Sequence, residues 1–192
     1  MKPTPLLLLV PLVYATLGFA EPATQQPTSA TGWQRSQETD AGRTFNFTRY
    51  TLVGKFLTSP RTQVANRPAL SLDCIPVTES QAANGKLLAS NLLVGTPLKI
   101  IYVEPEEIHG TSYYPKVVVR YRAGDAKQEE EQWSSGTEKT SASVPKHALK
   151  RILLAHTVVI TADDDHGSPL TMQFDMPDST LVEAGCNVDD HK

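Results

Sequence analysis

The sequence predicts a mainly β fold, an antiparallel β-sandwich with two short helices and one disulfide, and three observations lead to it. Short runs alternate apolar and polar residues with period two, as half-buried strands do. Two other segments space their apolar residues at helical intervals. The chain holds two cysteines, Cys74 and Cys186, behind an export-type leader, so one bridge is the only pairing available.

The leader is residues 1–20. Lys2 supplies a positive start, Leu6 to Val13 an apolar core broken by Pro11, and Gly18-Phe19-Ala20 the small residues wanted before a cleavage site, so cleavage is expected before Glu21. The apolar run falls short of the roughly 20 residues that a spanning helix needs, and no later stretch reaches that length. No membrane span is expected. No cysteine follows the cleavage site, which argues against a lipid anchor. Residues 21–32 are mostly Pro, Thr, Gln, Ser and Ala and read as a disordered spacer. A single domain is expected over 33–188, with 189–192 a frayed tail.

Strand character appears at 44–50, 69–75, 97–104, 116–122, 127–133, 157–162 and 170–175. Leu70, Leu72 and Cys74 share one face of their strand, with Ser71 and Asp73 on the other, so Cys74 points inward. Val117, Val119 and Tyr121 oppose Val118, Arg120 and Arg122. Leu170, Met172 and Phe174 oppose Thr171, Gln173 and Asp175 in the same way. The segment 144–155 has Pro145 at its start and Leu149, Ile152 and Leu153 at helical spacing. A second helix over 177–184 opens with Asp178 and Ser179 and stops at Gly185, one residue before Cys186.

The 192 residues carry 18 Lys and Arg against 21 Asp and Glu, a net charge of −3. Nucleic acid and anionic membranes demand clustered positive charge, so neither is expected as a partner. A redox or nucleophilic role for the cysteines would need a CxxC pair or a nearby base, and neither is visible; the structural bridge is the better reading.

The series ALSLDC at 69–74, VVVRYRAGDAKQEEEQW at 117–133, LKRILLAHTVVITA at 149–162, MQFDM at 172–176 and AGC at 184–186 resembles the VasI/TagO family of type VI secretion-associated exported proteins. The likeness covers about 120 residues. It implies an accessory role on the periplasmic side of a type VI apparatus, near peptidoglycan, with an envelope protein or a peptidoglycan-associated partner.

Chemistry-bearing clusters are few. Asp163, Asp164, Asp165 and His166, followed by Gly167, could gather a cation, with Asp163, Asp165 and His166 the candidate ligands, but an EF-hand spreads its ligands over twelve residues. An acidic hairpin connection explains the cluster better, and no metal or other cofactor is expected. No G-x-S-x-G, H-E-x-x-H, S-x-x-K or Gly-rich phosphate loop occurs, and His109, His147, His156 and His166 are scattered. Glu129, Glu130 and Glu131 are expected to face Arg120 and Arg122 as a cross-strand charge arrangement.

The stretch EPEEIHGTSYYPK at 104–116 is the best recognition candidate. Pro105, Gly110 and Pro115 break regular structure, and Ile108, Tyr113 and Tyr114 offer contact area to a protein or glycan. The expectation is therefore an exported protein, periplasmic or secreted, that binds rather than catalyses. The alternatives are a small envelope hydrolase or an inhibitor of a cell-wall enzyme or toxin, and an exported metal buffer using Asp163 to His166.

Overall fold

The computed structural model describes residues 32–39, 46–58, 67–75, 85–103 and 113–188. The leader, the spacer up to residue 31, Ile108, His109 and the tail 189–192 lie outside the described residues. Eleven strands among the described residues form one antiparallel sheet, curled on itself and broadly sandwich-like, with two short helices.

The strands are β1 (Gln34–Thr39), β2 (Asn46–Val53), β3 (Lys55–Phe56), β4 (Ala69–Ile75), β5 (Lys86–Leu93), β6 (Ile101–Val103), β7 (Tyr114–Ala123), β8 (Glu129–Ser135), β9 (Ser141–Ser143), β10 (Thr157–Asp163) and β11 (Pro169–Asp175). Helix α1 is Lys146–Leu153 and α2 is Thr180–Gly185. The pairing order is β1-β2-β4-β5-β9-β8-β7-β10-β11-β3, with β6 added to β7.

Gly54 closes this path. It alone separates β2, near one end, from β3, at the other, so the backbone itself carries the chain across. A β-carbon at Gly54 would lie 2.6 Å from Phe174 Cε1 and 2.7 Å from the Gln173 carbonyl, a separation that only glycine tolerates. Curling places one face of β2, β4, β5, β7, β8, β10 and β11 inside. Tyr50, Leu52, Leu70, Leu72, Leu92, Val117, Val119, Tyr121, Trp133, Val158, Ile160, Leu170, Met172 and Phe174 form that interior.

The alternation read from β4, β7 and β11 holds, but β4 is buried on both faces rather than half-buried. Its outer-face Asp73 is covered by Arg49 of β2, which donates from Nε to Oδ1 at 2.7 Å and from NH2 to Oδ2 at 3.0 Å. The same guanidinium pairs with Glu38 of β1 at 2.7 Å and lies 5.3 Å from the centroid of the Phe47 ring. A desolvated carboxylate on the outer face is thus neutralised from the neighbouring strand.

Four strands are absent from the sequence reading. The polar β1 has no buried stripe and exists through its ladder with β2. In β5 the register shifts between Asp73 and Cys74, so the ladder pairs Cys74 with Leu87 but Asp73 with Ala89. The extra residue, Leu88, lets Leu87, Ser90 and Leu92 all turn inward and erases the period of two. β3 and β9 are too short to show a pattern. The strand expected over 97–104 is regular only at Ile101–Val103.

Cys74 and Cys186 are bonded, with 5.4 Å between their α-carbons and a sequence separation of 112. The bridge holds the residue after α2 against β4. Asn187 then pairs in parallel with Lys86 at the start of β5. Among the described residues no helix is long and apolar enough to cross a membrane.

Candidate binding surface

Among the described residues β6 pairs only with the first residues of β7, and this short ladder, with Tyr113 just before it, carries the exposed aromatic side chains. Its register sets Val103 opposite Tyr114, Tyr102 opposite Pro115 and Ile101 opposite Lys116. Residues directly opposite share a face. Tyr114 therefore stands on the outer face with Val103 and Lys116, while Tyr102 and Pro115 stand on the other. Tyr102, Tyr113 and Tyr114 are 61%, 53% and 49% exposed. Tyr121, three strand repeats beyond Pro115 on β7's inner face, is buried at 2%.

This corrects the picture of an irregular loop up to Pro115, because Tyr114 and Pro115 belong to β7. Proline is tolerated there because β8 begins to pair with β7 only at Lys116, which leaves the β8 side of Pro115 without a ladder partner among the described residues. Tyr102 was not singled out from the sequence. Its place opposite Pro115 is a register fact that no local pattern carries.

Glu129, Glu130 and Glu131 separate onto two faces. Only Glu130 lies opposite Arg120 on the outer face, and Arg120 turns instead to Asp163 of β10, donating from NH2 to Oδ1 at 2.7 Å. Glu129 and Glu131 share the inner face with Tyr121 and Trp133, beneath α1. The Tyr121 hydroxyl lies 2.9 Å from Glu129 Oε2 and 3.0 Å from Glu131 Oε1, and Trp133 Nε1 donates to Glu131 Oε2 at 3.0 Å.

From α1, His147 Nε2 reaches both Glu131 oxygens at 3.0 Å, and Arg151, one turn on, pairs with Glu129. The expectation that all three glutamates face Arg120 and Arg122 is therefore wrong for two of them. Strand alternation turns neighbouring residues to opposite faces.

Burial alone would raise the Glu131 carboxyl, yet hydrogen bonds from Trp133, His147 and Tyr121, with the His147 charge, outweigh it and hold the group below its ordinary value. Burial, then the two neighbouring carboxylates, push the Tyr121 phenol well above its ordinary range, so it serves as a permanent donor. Beside this network a groove of about 800 Å³ runs between the β7–β8 turn and the α1–β10 connection. Glu129, Arg151, His156 and the 83% exposed Leu154 line it. The His147 to Glu131 pairing is a three-dimensional event. Its only sequence trace is Glu-x-Glu-x-Trp at alternate positions, plus His147 and Arg151 four residues apart.

Asp163, Asp164 and Asp165 take three different environments. Asp163 is held by Arg120. Asp164 is 1% exposed and accepts the backbone N–H groups of His166 at 3.0 Å and Ser168 at 2.7 Å, shaping the β10–β11 turn. Asp165 is exposed, with its Oδ1 3.6 Å from His166 Nε2. Among the described residues no three His, Cys, Asp or Glu side chains gather as a metal site. In comparison with known proteins, no family model matches this chain, and neither a curated protein nor a solved structure does.

Proposed function

We propose that this is an exported accessory protein of the bacterial cell envelope, periplasmic or secreted, that works by binding another envelope protein through the β6–β7 ladder. The observation that supports the reading most is the exposure of Tyr102 and Tyr114 on one short ladder, with Tyr113 just before it, while Tyr50, Tyr121 and Trp133 are packed inside. Tyrosine supplies contact area at small entropic loss and is enriched at interface anchors. The bridge between Cys74 and Cys186 suits an oxidising compartment. The resemblance to the VasI/TagO family extends the reading to the periplasmic side of a type VI secretion apparatus, near peptidoglycan.

A hydrolase is the weaker reading. Glu131 is the best-placed carboxylate, but its oxygens are already engaged by Tyr121, Trp133 and His147. A photo-crosslinking residue placed at Tyr114 in cells that export the protein tests the proposal. An adduct with an envelope protein is expected from position 114 and not from Arg35 on β1. Tyr102→Ala with Tyr114→Ala should remove partner binding and shift stability by less than about 0.5 kcal/mol, as for other exposed positions. Adducts of equal yield from both positions, or binding that survives the double substitution, would sink it.

A further inference from the structure

The outer face of β7 carries a second feature, three strand positions beyond Tyr114. Along that face Tyr114, Lys116, Val118 and Arg120 follow one another at every second residue, and at Val118 and Arg120 the surface sinks into a cleft of about 210 Å³. Lys99, Ile101, Val118, Arg120, Glu130 and Asp163 line it, drawn from four neighbouring stretches of sheet. Lys99 is fixed beside β10 because its backbone N–H donates to the Asp163 carbonyl at 2.9 Å.

The charges in this cleft are only partly matched. Asp163 is taken up by Arg120 at 2.7 Å, which leaves Glu130, directly across the ladder from Arg120, with no side-chain partner among the described residues. The Lys99 ammonium likewise makes no hydrogen bond or ion pair to a described residue. Arg120 Nε is shut off from solvent and has no acceptor among the described residues, a donor that native structures rarely leave unmade. The cleft thus offers the unpaired Lys99 ammonium, one unmade donor on the Asp163-paired Arg120 and the unpaired Glu130 carboxylate.

That pattern selects among ligands. A phosphate or other multivalent anion would meet Glu130, and a metal cation would meet Lys99 and Arg120. A molecule carrying both a carboxylate and an ammonium answers all three groups. The volume lies below the roughly 300–1,000 Å³ of sites for drug-sized ligands, which points to something small. We propose that the cleft binds a free α-amino acid, its carboxylate taken by Lys99 and, after a small swing of the guanidinium about its Asp163 bond, by Arg120, and its ammonium by Glu130. The inference stands apart from the tyrosine ladder and does not depend on the partner bound there.

Titration calorimetry of the full exported chain tests this with glycine, L-alanine and D-alanine, and with acetate and ethylamine as the two half-ligands. Saturable binding of at least one amino acid is expected, with acetate and ethylamine each weaker by about tenfold or more. Glu130→Gln and Lys99→Met should each weaken amino-acid binding by about tenfold or more while leaving the melting temperature as in the parent, since neither side chain has a partner to lose. No saturable heat with any of the three amino acids would overturn the proposal. So would acetate binding as tightly as the amino acids, or both variants binding like the parent.

Discussion

The Tyr50 hydroxyl lies so close over the backbone of Gly185 that a β-carbon at residue 185 would overlap it. The contact joins β2 to the last turn of α2, one residue before Cys186 closes its bridge to β4. Gly185→Ala should therefore lower stability by about 1–3 kcal/mol, the range for forcing a methyl group into packed surroundings. Tyr50→Phe removes the obstructing oxygen, so the double variant should be more stable than Gly185→Ala alone. Urea unfolding of the four proteins of this cycle reads the coupling, and strict additivity would show that the contact is not tight.

Acid should loosen the seat of α1. The folded state holds Glu131 below its ordinary value of 4.5, so the folded chain binds fewer protons there than the unfolded one. The resulting stability is present above about pH 4.5 and is lost as pH falls through the lowered value. Glu131→Gln should lower the melting temperature at pH 7 and flatten its fall between neutral and acid pH. Parallel curves for the two proteins would remove Glu131 from the acid response.

Breaking the bridge should have a larger effect. Cys74 and Cys186 enclose most of the domain, and in the chain-entropy account a closed loop of that size contributes about 4–5 kcal/mol. Cys74→Ser with Cys186→Ser should lower the urea midpoint accordingly and release the Asn187 pairing with Lys86. Hydrogen exchange at Leu87, whose N–H donates to the Asn187 carbonyl at 3.4 Å, should quicken first. An unchanged midpoint would refute this account.

The acidic turn separates its residues by role. Asp164→Ala removes the acceptor for two backbone N–H groups and should cost about 1–3 kcal/mol, whereas Asp165→Ala should be close to neutral. Calcium, magnesium and zinc should leave the melting temperature unchanged, because a ligand bound only by the native state must raise it. A saturable rise abolished by changing Asp163 and Asp165 would establish a cation site instead.

The sequence by itself determined what depends on local periodicity and covalent arithmetic. β4, β7 and β11 alternate in sequence because each turns one row of side chains to the core, and α1 spaces Leu149, Ile152 and Leu153 for the same reason. Two cysteines allowed one bridge, and Tyr113 and Tyr114 stood out as large side chains near prolines that interrupt the pattern. Only the tertiary structure decided the rest. The polar β1 is held by its neighbour's backbone, and a bulge opposite Cys74 hides the period of β5. Register alone sends Glu130 outward and Glu129 and Glu131 under α1, sets Tyr102 opposite Pro115, and brings Lys99 to Arg120 and Asp163. Periodicity reports which residues want burial, but a site joins residues far apart in the chain, and strand pairing chooses those neighbours.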